Sequence, residues 1–412
     1  MLKKTKIAVF HNLPSGGAKR YLYEISKRLA KKYHIDEYKL STSSSYLDMS
    51  QIVSKTKIYN YHGGKNLLST YRSIIKLPKV HKQIANDINK KGYGLVITNH
   101  DYFTKSPYLH RFLTIPSLYI CHEPQREFYE KTSIHAPRIK ERIINILRLP
   151  IKYVDRVNAR ASNIIVANSK YSQKYLGRVY GVSPILVYPG VDIKKYIFST
   201  KKRKNFLLAI GSLMPVKGHC FVIRSLKKIK KKDRPLLVIV GSAKKYYKDR
   251  LIKLAKKNNV ECKILGDISD IQMKNLLSST LAYVSGAYQE PFGLSILEAM
   301  ASGTPAVVVG GGGAGEQIIN GVNGFITKRN EVEFAKKLSQ VLKHTKNFRV
   351  KSRNEINKKW GWDRTVSELD QIIKNIKNEK LFKLSSRAKP RDSSTRRLGR
   401  NDKVYRFPPA RE

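Results

Sequence analysis

The sequence predicts an α/β protein built from two doubly wound, mainly parallel sheets, and three observations carry that prediction. The chain has 412 residues, more than a single hydrophobic core normally supports. Short apolar runs alternate with helix-length amphipathic stretches in both halves, as a parallel sheet with crossover helices requires. Between Val191 and Asn205 the chain turns polar and lysine-rich, ending in Lys201-Lys-Arg-Lys204, which reads as an interdomain linker. The expected division is a first domain over 1–195, a second over 205–360, a helical segment over 361–383 and a tail over 384–412.

The first strand is Ile7 to Phe10, opening onto His11-Asn-Leu-Pro-Ser-Gly16-Gly17. A helix follows over Ala18 to Lys31, with Leu22, Ile25 and Leu29 at helical spacing. A diglycine between strand and helix lets an anion approach free backbone N–H groups, although glycine turns there are routine. Residues 41–92 are poorly determined: Ser41-Thr-Ser-Ser-Ser45 is loop-like, and Leu67 to Ile88 holds one or two basic amphipathic helices interrupted at Pro78. Leu95-Val-Ile-Thr98 and Leu118-Tyr-Ile-Cys121 supply further strands. Arg138 to Val157 carries Ile139, Ile143, Ile146, Leu147, Val154 and Val157 interleaved with lysines and arginines. It fits a helix lying on a membrane, or equally one with its apolar stripe on the domain core and a kink at Pro150. Lys227, Lys228, Lys230, Lys231 and Lys232 surround Ile229 at a helix end, where cations suit the carbonyl pole.

The most informative run is Gln289-Glu-Pro-Phe-Gly-Leu-Ser-Ile-Leu-Glu298, which places two carboxylates around a loop-to-helix turn. Pro291 and Gly293 break the chain before Leu294-Ser295-Ile-Leu-Glu-Ala-Met-Ala, so the first N–H groups of that helix point free at whatever lies in front, and phosphate is the natural guest. Glu298, a little over two turns on from Glu290, can accept hydrogen bonds from ribose hydroxyls while Glu290 sits at the mouth of the cleft. The bare spacing also fits an ordinary αβ connection with two solvated glutamates.

Thr304-Pro305 then leads into the buried strand Val307-Val-Val309 and the glycine-rich loop Gly310-Gly-Gly-Gly-Ala-Gly315-Glu316. With Asn323-Gly324-Phe325-Ile326 beyond it, this succession resembles the donor-binding half of glycosyltransferase family 4, the retaining group 1 type. Phe206 to Gly211 and Ser212 to Lys217-Gly218 look like that family's strand, turn and phosphate-binding lysine; Leu236 to Gly241 and Cys262 to Gly266 look like its next two strands. Lys6 to Gly17, Leu118 to Pro124, Ile164 to Ser169, Leu186 to Asp192 and Trp360 to Ile376 extend the resemblance over about residues 3–375. It implies a GT-B architecture: two Rossmann-like domains facing a central cleft, with the last helix crossing back to the first. It also implies transfer of a hexose, mannose or glucose type, from a nucleotide diphosphate sugar to a lipid-linked or polysaccharide acceptor, without metal or other cofactor.

On that resemblance the catalytic residues are His122 beside the sugar, Lys217 on the diphosphate and Glu290 on sugar hydroxyls. Gly16, Gly17, Lys217, Phe292, Gly293, Leu294, Ser295 and Glu298 bind the donor. Glu123, Arg126 and Glu127 follow His122 in a loop placed to meet the acceptor. One departure stands out: the family usually has an arginine five residues before the lysine, and here that position is Ser212. A hydroxyl is a weaker anion partner than a guanidinium fork, so Lys217 and backbone amides suffice or a cation from the first domain swings in.

A formal charge of +51 points to polyanionic partners. No zinc finger, RNP-type aromatic pattern or arginine-rich helix is present and the lysines are dispersed, so no specific nucleic acid is expected and an anionic membrane surface is preferred. A lysine-rich proteome would produce the same balance. The apolar runs are far short of the roughly twenty residues a membrane span needs and no signal-peptide block is seen, which places the chain in the cytoplasm, peripheral on the inner face of the membrane. Cys121, Cys220 and Cys262 stand singly, without zinc or disulfide spacing, and read as small buried hydrophobes. Leu384 to Glu412 uses two lysines against seven arginines, whereas the chain up to Lys383 uses 53 against 19, which marks a disordered basic tail of different coding origin. Two other functions stay open: a non-catalytic polyanion binder, and an inverting transferase or sugar epimerase on the same architecture, for which His11 is the only nearby base.

Overall fold

The computed structural model describes residues 4–64, 67–135, 138–198, 203–242 and 245–377. The expected tail, the last six residues of the helical segment, and Lys201 and Lys202 of the linker lie outside the described residues.

The first sheet contains β1 (Lys6–Asn12), β2 (His34–Leu40), β3 (Lys55–Tyr59), β4 (Leu95–Asp101), β5 (Ser117–Ile120), β6 (Ile164–Ala167) and β7 (Ile185–Leu186). The second contains β8 (Phe206–Ile210), β9 (Leu236–Val240), β10 (Cys262–Leu265), β11 (Ala282–Ser285), β12 (Ala306–Val309) and β13 (Gly324–Thr327). Their orders are β3-β2-β1-β4-β5-β6-β7 and β10-β9-β8-β11-β12-β13, and every pairing between these strands is parallel. Both are doubly wound, with the strand order reversing beside β1 and beside β8, as the sequence predicts. The central strands are buried on both faces, hence their continuous apolar runs: Leu207 to Ala209, Leu237 to Val240 and Ala306 to Val309 are all nearly inaccessible.

Two strands in the poorly determined or unassigned stretch, β2 and β3, were not visible as apolar runs. Their inward residues alternate with charge, as in His34-Ile-Asp-Glu-Tyr-Lys-Leu40, where even Glu37 is fully buried against His11. Leu67–Asn89 is one uninterrupted helix that carries Pro78 inside it. Arg138 to Val157 is not one kinked helix but two, Ile139–Leu147 and Leu149–Arg160, meeting at Arg148. Pro150 sits in the first turn of the second, where its missing N–H costs nothing. The reading that buries the apolar stripe of this segment fails over its first half: Ile139, Ile143, Ile146, Leu147 and Leu149 are all exposed. Only Ile151 and the later turns reach the core. Of the cysteines, Cys121 is buried as expected, while Cys220 and Cys262 are half-buried.

The final helix, Trp362–Lys377, returns to the first sheet. Trp362, Val366, Leu369, Ile372, Ile373 and Ile376 share one apolar cluster with Leu22, Ile25 and Leu29 of the helix Gly17–Leu29. The outgoing and returning chains run side by side where Val191 N–H donates to the Trp360 carbonyl at 2.7 Å. This double crossing closes the two sheets on a common cleft.

Candidate functional site

In doubly wound sheets a crevice opens at the carboxyl ends of the strands where the order reverses. In the second sheet that point lies between β8 and β11, and the loops leaving those strands carry Lys217 and Glu290. The β8 loop ends in a short 3-10 turn, Pro215–Lys217, and Gly218 at φ +67°. A Cβ on Gly218 would stand 1.7 Å from the Gly286 carbonyl oxygen, so only glycine lets the two loops close against each other. Lys217 Nζ then meets Glu290 Oε2 at 2.7 Å.

Glu290 itself is held from behind. Its neighbour Gln289 has φ +45°, a strained backbone for a side-chain-bearing residue. The glycine-rich stretch after β12 supports this loop: Ala314 N–H donates to the Glu290 carbonyl at 3.3 Å, and a Cβ on Gly313 would stand 2.0 Å from the Pro291 carbonyl oxygen. The loop therefore buttresses Glu290, and its glycines serve close packing. Glu316 at its end crosses to the first domain, accepting from the N–H groups of Lys170 and Tyr171 at 3.0 and 2.9 Å and so capping the helix Lys170–Tyr180.

The helix after Gly293 spans Leu294–Ala301, and no side chain caps its N-terminus. A small cleft opens there, lined by Lys217, His219, Tyr283, Glu290, Gly293 and Ser295 among others. Ser295 Oγ and Tyr283 Oη are 2.8 Å apart on its wall. Gly17 of the first domain lies directly opposite: a Cβ there would be 3.5 Å from Leu294 Cδ1. Thus Gly16-Gly17, Lys217, Glu290, Gly293, Leu294 and Ser295 converge. Phe292 does not join them by its side chain, which is buried among Tyr188 and Trp360 because the loop needs an apolar anchor; it offers only backbone.

Glu298 lies further along the same helix and is not free. It accepts from Arg20 of the first domain, Nη1 to Oε1, at 3.1 Å. His122, just past the carboxyl end of β5, is buried. Its ring nitrogens stand 3.4 Å from Asn99 Nδ2 and 3.3 Å from Asn168 Nδ2, with Tyr21 and His100 edge-on. A neutral imidazole cannot accept at both nitrogens, and Asn168 Oδ1 lacks a partner, so turning that amide over satisfies Nδ1–H. Burial pushes the His122 pKa down to about 4, which keeps it neutral. His11, the base an inverting reaction would need, is fully buried behind the glycine turn, 2.8 Å from Glu37.

The loop after His122 reaches the second domain. Arg126 donates to the Tyr288 carbonyl at 2.7 Å and pairs with Glu130. Burial would raise the Glu123 pKa, but Lys105, Arg126 and Lys217 together hold its carboxyl down to about 2. Sequence reasoning missed Arg20, Tyr196, Asp270 and His219. Arg20 lies three residues past the diglycine, in the first turn of its helix, and a fork-shaped cation that close to the turn was the available signal. His219 follows Lys217-Gly218 directly; its Nε2 is buried without a partner on the cleft wall, and burial lowers its pKa to about 4.

Two family models match the chain, "Glycosyltransferase Family 4" over residues 15–195 and "Glycosyl transferases group 1" over 192–359. An uncharacterised glycosyltransferase of Methanocaldococcus jannaschii is 32% identical over 178 residues, 42% of this chain and 45% of the relative. A GDP-Man:Man(3)GlcNAc(2)-PP-Dol alpha-1,2-mannosyltransferase of Dictyostelium discoideum is 25% identical over 258 residues, 56% of this chain and 51% of the relative. The matches to the first curated relatives span 45–65% of those proteins' length. Among solved structures, Anabaena HepE in complex with UDP and glucose superposes with a TM-score of 0.71 at 19% identity, over 90% of this chain and 100% of HepE. Sucrose-phosphate synthase of Thermosynechococcus elongatus gives 0.71 at 17% identity, over 90% and 99%. Both share the two-domain fold.

Proposed function

This chain belongs to the group 1 glycosyltransferases of family 4, and we propose that it moves a hexose of the mannose or glucose type from a nucleoside diphosphate sugar to a glycan or lipid-linked acceptor, with retention of configuration. The observation that carries this reading is the convergence of Lys217, Glu290 and the uncapped Leu294–Ala301 helix at the second sheet's switch point, against Gly16-Gly17 of the first. Charge develops on the departing diphosphate, and Lys217, the helix amides and the glycine turn are the preorganised donors that stabilise it. Glu290 takes sugar hydroxyls and Glu298 the ribose. His122, neutral and held by two asparagines, sits behind the sugar. Retention fits a one-face reaction in which the leaving phosphate takes the acceptor's proton, since His11 is buried and no carboxylate lies between Gly16 and Arg20. We take the reaction to be metal-independent, with Lys217 and the helix N-terminus turned to the phosphate charge. The mannosyltransferase and the glucose-bound structure among the similar proteins support a hexose donor.

We further place the protein at an anionic membrane surface on the cytoplasmic side. Supporting this, Ile139, Ile143, Ile146, Leu147, Leu149 and Tyr153 are exposed together over the two helices Ile139–Leu147 and Leu149–Arg160, among Arg138, Arg148, Lys152 and Arg156. An apolar stripe ringed by cations suits an interface of acyl chains and acidic headgroups. Among the described residues no helix is long and apolar enough to cross a membrane.

The deciding experiment incubates the full chain with UDP-, GDP- and ADP-linked glucose and mannose and follows nucleoside diphosphate release and the anomeric configuration of the product. One donor should be bound and turned over with retention. Absence of binding across the panel refutes the donor site, and an inverted product refutes the mechanism.

A further inference from the structure

Arg20 crosses the cleft from the first domain and ends on the second. Its Nη1 lies 3.1 Å from Glu298 Oε1 and 3.4 Å from Tyr196 Oη, and its Nη2 lies 3.2 Å from Asp270 Oδ1 and against Tyr46 Oη. Burial alone would depress the guanidinium's pKa, yet Glu298, Tyr196 and Tyr46 raise it. Arg20 sits one helical turn, about 5 Å of rise, beyond Gly17, the residue that touches Leu294 at the phosphate end of the cleft. A long side chain rooted there can point toward Glu298 or back toward the helix N-terminus.

The cleft's charges are matched with one another. Lys217 is paired with Glu290 at 2.7 Å, and Arg20 with Glu298. A nucleoside diphosphate brings more negative charge than one paired ammonium can neutralise, and its ribose hydroxyls are neutral donors that compete for the carboxylate Arg20 now holds. The second carboxylate partner, Asp270, is 53% exposed and so binds weakly. We propose that Arg20 is a donor-binding residue lent by the opposite domain: its guanidinium, which meets Glu298 here, turns to the diphosphate once a ribose engages Glu298. Its planar fork suits phosphate oxygens. Donor binding then joins the two domains through the donor itself. This inference rests on the nucleotide-sugar reading of the cleft.

The test is titration of wild type, Arg20→Ala and Arg20→Lys with UDP, GDP and ADP and with uridine, guanosine and adenosine, by calorimetry. Arg20→Ala should bind the preferred diphosphate about tenfold to a hundredfold more weakly, the range for losing a hydrogen bond to a charged group. The matching nucleoside should bind as well as before or more tightly, because Glu298 is no longer shared. Arg20→Lys should lie between, having the charge without the fork. Equal weakening of nucleoside and diphosphate, or no loss for the diphosphate, overturns the assignment. Failure of wild type to bind any of the three diphosphates overturns the donor-site reading first, and this one with it. A melting temperature near wild type confirms that each variant is folded.

Discussion

Replacing Lys217 by alanine should separate activity from stability. Lys217 and Glu290 are 29% and 17% exposed, so their 2.7 Å ion pair is partly solvated. Such pairs contribute about 0–1 kcal/mol, and the melting temperature should move by a few degrees at most. In the proposed transition state the same ammonium faces the charge growing on the diphosphate. Loss of one such donor typically costs about a hundredfold or more in kcat, near 2.7 kcal/mol. Ser212 is exposed on the same turn, so Ser212→Arg has room for a guanidinium and should recover part of the loss in the Lys217→Ala background. The assay is steady-state turnover with the donor identified above, run beside thermal melts of the same preparations. If Lys217→Ala turns over within about threefold of wild type while remaining folded, the phosphate role assigned to the Gly211–Gly218 turn is wrong. The catalytic charge would then come from the first domain.

Acid should unfold the protein early. His11, His110, His122 and His219 have pKa values lowered to about 4 by burial, His81 to about 3, and His100 is also well below its ordinary value. The unfolded chain takes up these protons near pH 6.5, so the stability each contributes is present above that pH and is lost as pH falls toward 4, at up to about 1.4 kcal/mol per unit per group. Asp155, raised to about 6 by burial, and Asp101, also raised by burial, act in the opposite sense but are two groups against six. The urea midpoint should therefore drop clearly between pH 7.5 and 5.5, and a flat profile would contradict the assigned burial. Binding to vesicles rich in anionic lipid should weaken as salt shortens the screening length below about 8 Å. Ile143→Glu and Ile146→Glu should weaken it further without altering the fold; equal partitioning onto neutral vesicles removes the membrane reading. Turnover should survive excess EDTA, and a loss restored by one divalent cation would show that a metal shares the diphosphate.

Much of the fold was legible because a strand buried on both faces must be apolar throughout. Val307-Val-Val309 and Leu236 to Val240 announce themselves, and Gly293 marks the start of its helix within one residue. Strands β2 and β3 were not legible, since at that edge of the sheet Asp36 and Glu37 are satisfied by Tyr93, His11 and Thr56 from other elements, an arrangement no periodicity reveals. The break at Arg148 was similarly hidden: Pro150 is compatible with either a kink or a new helix, and only the packing chose.

The chain by itself pointed to the Glu290 loop as the candidate site, because a proline-glycine break, a helix start and two carboxylates are local facts written within ten or so residues. Glu290 was named in this way, and Lys217, 73 residues away, through the resemblance of its turn to the family's. What tertiary structure alone decided is which charges meet. Arg20 and Glu298 are 278 positions apart and belong to different domains, and their contact depends on how two sheets close over a cleft. The same closure made Glu316 a cap for a helix of the other domain and left a row of isoleucines facing outward. Electrostatic partners follow distance in space, and distance between domains is set by packing that no local pattern encodes.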